Sequence, residues 1–380
     1  MGLFTKDHGE FRARVRTFVE SHLLPNASVW ERDRGFPRSV FRDLGEAGFL
    51  GLTQDRKFGG QGLDFSYSVA FVEELPRSQM MGLTLSVIAQ TNIFPPALSW
   101  LGTEDQKRNF LGPAVRGELI GGFAATEPTG GSDLLGAVHT VAVDDGDFWV
   151  VTGEKKYITN GPIADALVVL VRTRPERSLQ SLSLLIVPTD IPGFRVKESL
   201  EKLGMHSSPT GWLEFDHCRV PKALTLGKPH MGYHYFARNI LEERLLGGAA
   251  AVAAADLALQ DTIRYVQRRE AFGQPLSKLQ ALRHRIAEMS AELEMCRRFV
   301  HSVCESYRDG RVEAKEICMI KFRVFEAVQR LTEQCLQLQG GYGFLAENWI
   351  TRMYRDVRVL SVGGGASELM KDLVAAYLRL

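Results

Sequence analysis

Residues 147–160, DFWVVTGEKKYITN, decide how the chain is read. Short β-branched and aromatic runs bounded by Gly, Asp and Asn fit a strand and carry no helical spacing. The same texture recurs in ALVVLVRT (166–173), SLSLLIVPT (181–189) and WLEFDHCRV (212–220), so residues 121–225 are expected to form a compact antiparallel β domain. On either side the period changes. Upstream, Phe11, Val15, Phe18 and Val19 recur at helix spacing, and breaks at Pro25, Gly59-Gly60-Gln61-Gly62, Pro95-Pro96 and Gly102 cut residues 1–120 into several helices. Downstream, from about Tyr233, long alanine- and leucine-rich stretches run with few breakers until Gly340, which predicts an antiparallel helical bundle over 226–380. Helices segregated from strands in an α–β–α order argue against a doubly wound nucleotide-binding sheet. GGQG at Gly59 and GGYG at Gly340 therefore lack the strand–turn–helix setting of a dinucleotide fingerprint.

The bulk numbers exclude several classes. The chain has 380 residues, 46 basic against 45 acidic and no long run of one sign, so a nucleic-acid partner has no electrostatic footprint. No apolar run is long enough to span a bilayer, and the first residues show no apolar signal core, so a cytoplasmic location is expected. Cys218, Cys296, Cys304, Cys318 and Cys335 are odd in number and widely spaced, as buried free thiols would be. His230 and His234 stand four apart, but Gly232 between them and the lack of helical periodicity argue against a metal pair, and no metal is expected.

Four places could carry chemistry. The loop GGFAATEPTGGSD (121–133) lies at a domain junction, and Thr126, Gly130, Gly131 and Ser132 offer hydroxyls and approachable amides for a phosphate or ring edge. It could equally be a well-capped turn. In EKKYITNG (154–161), Tyr157 and Thr159 alternate and share one strand face, suited to a flat heterocycle or to an ordinary half-buried strand. RREAFGQPLSKLQ and QLQGGYGF set Arg269, Phe272, Gln280, Gln337 and Gly341 beside helix breaks, where glycine pairs usually cap. NILEERLLGGAAAVAAAD (239–256) is a thin helix with Glu242, Glu243 and Arg244 one turn before its glycines; a surface acid–base cluster reads the same way.

In order and over nearly the whole chain, TEPTGGSD, YITNG, REAFG, QLQGGYG and GGGAS resemble the acyl-CoA dehydrogenase family of flavoenzymes. That resemblance implies a mainly α fold with an N-terminal helical domain, a middle antiparallel β-barrel and a C-terminal four-helix bundle. It implies FAD, lined by Phe123, Ala125, Thr126, Gly131 and Ser132, with Tyr157, Ile158 and Thr159 against the isoalloxazine ring and Ala366 and Glu368 near the flavin. Arg269, Phe272, Gln280, Gln337 and Gly341 would reach the FAD of a neighbouring subunit in a homo-oligomer, a tetramer more often than a dimer. The implied reaction is α,β-dehydrogenation of an acyl thioester, with Ser132, Arg244, Gly364 and Gly365 on the substrate and an electron-transfer flavoprotein as acceptor.

Many relatives place the catalytic glutamate in the final turn, at the position that is Gly364 here; isovaleryl- and long-chain-type members place it on the first bundle helix in an E-R pair. LEERLLGG matches that pair at Glu243-Arg244, which makes Glu243 the implied base and Glu242 its rival. Adjacent helical residues point about 100° apart, so only one can face the flavin. Pro95-Pro96 could distort a pocket-side helix and widen an acyl channel, or simply end it. His206, Trp212, Ala366 and the loop wording TEPTGGSD depart from the family pattern. An acyl carrier protein thioester is the alternative substrate, and a non-catalytic assembly protein on the same fold the remote one.

Overall fold

The computed structural model describes residues 2–380, with helices at both ends and one large sheet between them. Eight strands make that sheet: β1 (Gly121–Ala124), β2 (Val141–Asp145), β3 (Phe148–Thr159), β4 (Ala166–Arg172), β5 (Leu182–Pro188), β6 (Phe194–Ser199), β7 (Thr210–Pro221) and β8 (Thr225–Leu226). The pairing path runs β6-β7-β3-β2-β4-β5-β8. Most contacts are antiparallel, but β1 lies parallel to β4 and β2 meets β4 in parallel at Val141 and Arg172. The middle β domain expected from the sequence is present, but its sheet is mixed and not purely antiparallel. Side-chain alternation reports which face a residue takes and carries no information about the direction of the neighbouring strand.

β4 explains its own sequence. All seven residues are buried, and the first six, Ala166 to Val171, form an unbroken apolar run and not an alternating one. Ala166, Val168 and Leu170 face the helical residues Phe94 and Leu98, while Leu167, Val169 and Val171 face Val151, Leu213 and Phe215 of the β3–β7 pair.

The N-terminal layer contains α1 (Lys6–Phe18), α2 (Phe65–Glu74), α3 (Met81–Ile88) and α4 (Phe94–Leu101). Pro95 and Pro96 fall in the first turn of α4, where a missing N–H costs nothing, and the chain just before them forms the π-helical turn Ala89–Ile93. They begin a helix where the sequence suggested an end or a distortion. Gln90 in that turn donates to the carbonyls of Ala114 and Leu119 at 3.0 and 2.8 Å and accepts from the Gly121 N–H at 2.8 Å, so the irregular turn anchors the start of β1.

The C-terminal part is built on α5 (Gly232–Arg268), followed by α6 (Gln280–Arg308), α7 (Ala314–Met319), a π turn (Ile320–Val324), α8 (Phe325–Gly343), α9 (Trp349–Asp356) and α10 (Ser367–Tyr377). α5 is thin in its middle: Gly248, Ala249, Ala250, Ala251, Ala254 and Ala255 are all buried. At Gly248 a Cβ would stand 2.6 Å from Ile320 Cγ2, so only glycine lets the π turn come this close.

One buried ion pair ties the junction loop to the sheet. Lys155 Nζ, fully buried, donates to Glu127 Oε1 at 2.7 Å and to the Ala125 carbonyl at 3.1 Å, and Glu127 also accepts from the His139 and Thr140 N–H groups. Burial pushes Lys155 down to about 8 against the pull of Glu127. Burial opposes ionisation of Glu127 too, yet Lys155 and the backbone donors hold that carboxyl below its usual range. Removing one partner strands a buried charge, at a cost of about 3–5 kcal/mol. Lys155→Met is expected to lower unfolding stability by that order in denaturant titration, and the double variant Lys155→Met/Glu127→Gln to recover part of it.

Candidate active site

The junction loop folds back on β3. The Lys156 N–H donates to the Thr126 carbonyl at 2.9 Å, and Asp133 caps the short helix Leu134–Ala137 by accepting from the Gly136 N–H at 2.9 Å. Gly131 and Ser132 lie exposed at its tip, Thr126 and Phe123 are half-buried, and Ala125 is buried. A Cβ on Gly131 would come within 3.0 Å of Thr126 Cγ2, filling the space beside the threonine hydroxyl.

Tyr157 stands at a bulge. The β3–β7 register shifts between Lys156 and Ile158, and Tyr157 takes φ 65° with 60% of its surface exposed. An aromatic residue in the left-handed region is strained, and bulges re-aim side chains in this way. Tyr157 and Thr159 stay out of the core as alternation predicts, while the Ile158 side chain is buried within the sheet. Ile158 therefore presents backbone, and not its side chain, on the face that carries Tyr157 and Thr159.

α5 joins this loop to the acids. Phe123 packs against Phe236 with ring centroids 5.8 Å apart. Glu243 lies seven residues further along, two turns and nearly the same helix face, about 10 Å up the axis. Glu242 points elsewhere: Tyr307 Oη donates to its Oε2 at 3.2 Å and Asn92 Nδ2 to its Oε1 at 3.5 Å. Burial pushes Glu242 up to about 7 despite those bonds.

Glu243 faces the C-terminal glycines. A Cβ on Gly364 would lie 3.4 Å from Glu243 Oε1 and 3.5 Å from Lys321 Cε. Burial raises the Glu243 carboxyl, the charges of Arg244 and Lys321 lower it, and no hydrogen bond contributes to its shift. It is half-buried, so part of its surface remains reachable. Arg244 Nε donates to the Gly364 carbonyl at 2.8 Å, and Gly364 and Gly365 hold φ values of 69° and 108°. The glycine run is therefore a left-handed turn clamped by the arginine that follows the acid. Ala366 caps α10 without a side-chain bond and Glu368 is exposed in its first turn.

The five bundle residues gather elsewhere. Arg269, Phe272, Gln280, Gln337 and Gly341 are all exposed, Phe272 by 91%, at the C-cap of α5, on the Glu270–Pro275 hairpin, at the start of α6 and in the last turns of α8. Tyr265 and Tyr342, stacked at 5.6 Å, bring the ends of α5 and α8 together. Two residues of the site were not singled out from the sequence. Glu127 sits inside TEPTGGSD as the latch to Lys155, and Lys321 is a lone cation among apolar neighbours in ICMIKF, a charge on a face that should be buried.

Family models for the acyl-CoA dehydrogenase N-terminal, middle and C-terminal domains match residues 5–118, 122–218 and 230–378. The chain belongs to the acyl-CoA dehydrogenase family. It is 34% identical over 376 residues to the long-chain specific acyl-CoA dehydrogenase, mitochondrial, of Sus scrofa, covering 98% of this chain and 86% of that one. The crystal structure of an acyl-CoA dehydrogenase from Geobacillus kaustophilus superposes with TM-score 0.95 at 38% identity, covering 99% of both chains. A glutaryl-CoA dehydrogenase from Mycobacterium smegmatis, solved in complex with FADH2, superposes with TM-score 0.93 at 28% identity over 99% of this chain and 95% of that one. As a family member the chain is an FAD-dependent oxidoreductase acting on acyl-CoA. The open amides of Gly131 and Ser132, the space beside Thr126 and the outward Tyr157 fit such a cofactor. Among the described residues no helix is long and apolar enough to cross a membrane, and no three metal-ligating side chains are grouped to hold an ion.

The two glycines predict different penalties. An alanine at Gly364 meets the Glu243 carboxylate at ordinary contact distance, and its left-handed φ alone costs about 1–2 kcal/mol. At Gly365 a Cβ would lie 2.8 Å from Met370 Cε and 2.9 Å from Arg244 Nη2. Both atoms are the tips of flexible side chains that can shift, so the larger difference is backbone: thermal unfolding is expected to place Gly365→Ala below Gly364→Ala because φ 108° lies outside the left-handed well that φ 69° occupies.

Proposed function

We propose that the enzyme oxidises the Cα–Cβ bond of an acyl-CoA with Glu243 as the base. The observation that carries this reading is the meeting of Glu243 Oε1 with the space above Gly364, where an alternative carboxylate would otherwise stand. Glu242 is held away by Tyr307 and Asn92, on a different side of the helix.

The α-hydrogen of a thioester is weakly acidic, so its carbonyl oxygen needs donors that strengthen as enolate charge develops. The Gly364 backbone N–H is the donor this chain offers, on a turn whose position Arg244 fixes through the Gly364 carbonyl. Glu243 accepts the proton from Cα, the freed electron pair forms the double bond, and hydride leaves Cβ. Bound FAD supplies the acceptor for that hydride. Burial raises Glu243 and so strengthens it as a base, while the charges of Arg244 and Lys321 favour its ionised form.

Phe123, Ala125, Thr126, Gly131 and Ser132 line the FAD in this reading, with Tyr157, Thr159 and the Ile158 backbone at its ring and Ala366 and Glu368 near it. Ser132, Arg244, Gly364 and Gly365 attend the substrate. The exposure of Arg269, Phe272, Gln280, Gln337 and Gly341 supports their reaching the FAD of a second copy, in a homo-oligomer that we take to be a tetramer. Electrons pass on to an electron-transfer flavoprotein. The units divide at about residues 120 and 225. The relatives reported above are named for CoA thioesters, which leaves a carrier-protein thioester without support.

Glu243→Gln is expected to purify yellow with bound FAD yet lose about 10²–10⁴-fold in anaerobic bleaching by acyl-CoA, whereas Glu242→Gln stays within about tenfold of the parent enzyme. Full-rate bleaching by Glu243→Gln would sink the base assignment. Because burial raises Glu243, the acid limb of the parent enzyme's bleaching rate should have its midpoint above the ordinary carboxylate range: inactive when Glu243 is protonated, active as pH rises through its folded value.

A further inference from the structure

Apart from the pull of its charge on Glu243, Lys321 has no role in the steps above, yet it is a deeply buried cation of the bundle. It is 2% exposed, in the π turn Ile320–Val324 between α7 and α8. A fully buried ammonium is rare unless paired, and no carboxylate forms a salt bridge with it among the described residues. Its Nζ donates instead to the Leu360 carbonyl, in the chain that leads into the glycine turn, and lies 4.8 Å from the Phe325 ring centroid. Its Cε and Glu243 Oε1 meet across the Gly364 Cβ position, at 3.5 and 3.4 Å.

We propose that Lys321 is a positioning residue of the dehydrogenation: its ammonium fixes the glycine turn through Leu360 and sets a positive charge beside Glu243 that keeps the carboxylate ready to accept a proton. This rests on the assignment of Glu243 as base. Two cations then bracket the turn. Arg244 holds the Gly364 carbonyl from α5, and Lys321 holds the Leu360 carbonyl from the π turn.

The charges around Glu243 are few. Arg244 follows it on α5, Lys321 faces it from the π turn, and Glu242 on the same helix is occupied with Asn92 and Tyr307. Arg244 in turn feels Cys318 on α7, Tyr233 on α5 and Tyr377 on α10. Burial pushes Lys321 down to about 8, with Arg244 adding to the fall and Glu243 resisting it. Lys321 and Glu243 thus act on each other with opposite sign: the carboxylate favours the charged lysine and the ammonium favours the charged acid. The π turn is what delivers Lys321: one extra residue in the helical ladder turns the side chain inward, and Gly248 lets that turn approach α5.

The test uses full-length, FAD-loaded protein with Lys321→Gln, Lys321→Met and Lys321→Arg. Gln keeps a donor for Leu360 and removes the charge, Met removes both, and Arg restores the charge. The acid midpoint of anaerobic flavin bleaching by acyl-CoA should rise by about one unit or more in Gln and Met, lowering the rate about tenfold below that midpoint and recovering at high pH. Arg should return the midpoint towards that of the parent. Infrared titration without substrate, with Glu243→Gln subtracted to isolate the Glu243 carboxyl band, should show the same upward shift independently of turnover. Where Met fails to fold, Gln carries the comparison. An unshifted carboxyl band in Lys321→Gln, with Glu243→Gln inactive, overturns the role of Lys321 and leaves the base assignment intact. An active Glu243→Gln overturns the base assignment and the inference built on it.

Discussion

The geometry of the site depends on one close approach, that of α5 to the π turn at Gly248. A helix can come within a methyl radius of another backbone only where its own side chains are absent. Gly248 and the buried alanines that follow supply that absence. Because α5 is thin here, Ile320 packs into it, and the next residue, Lys321, is brought to the side of Glu243. A bulky residue at 248 would push the π turn outward, taking Lys321 and its hold on Leu360 with it. The small-residue stripe thus has a consequence in electrostatics, since it decides which charges a buried carboxylate meets.

Two adjacent glutamates then acquire different characters from one helix. Both are raised by burial, but Glu242 is satisfied by a phenol and an amide, whereas Glu243 is offset only by cations. A carboxylate fixed by hydrogen bonds is a poor proton acceptor, because those bonds are lost or weakened on protonation; one balanced by charge alone stays open to a substrate hydrogen. Tyr307, pushed well above its ordinary value by burial and by Glu242, remains a protonated donor and keeps that division in place.

The order of helices, strands and helices was legible from period alone, because β-branched runs between glycines and prolines leave few alternatives. Strand direction was not, and β1 beside β4 is the example: parallel and antiparallel neighbours bury the same faces. The motif residues of the junction loop were legible as a ligand surface, and the Glu243-Arg244 pair as an acid–base step on a helix. What escaped was anything set by a break in regularity. The bulge at Tyr157 with its left-handed backbone, the π turn that opens before Pro95, and the π turn that aims Lys321 each add one residue to a regular element. No local sequence period records such an insertion, since its cause is tertiary packing.

The glycine turn gains its precision from being held at several points by different parts of the chain. At its upstream end Asp356 accepts from the Met205 N–H at 2.5 Å, and Glu31 accepts from the neighbouring Ser207 N–H at 3.2 Å. Asp356 is raised by burial and by Glu31, so this is a junction of buried polar groups, joining the N-terminal helices, the strand domain and α9. In the middle, Lys321 and Arg244 take the Leu360 and Gly364 carbonyls. Downstream, Met370 packs with Cys318 of α7. A left-handed glycine pair left to itself is the most mobile backbone available, which is unsuited to presenting one N–H to a developing oxyanion. Fixing it from three units reverses that weakness, and it explains why the carboxylate can be absent from the turn: with the turn serving as donor, the acid is better placed on the rigid helix that faces it.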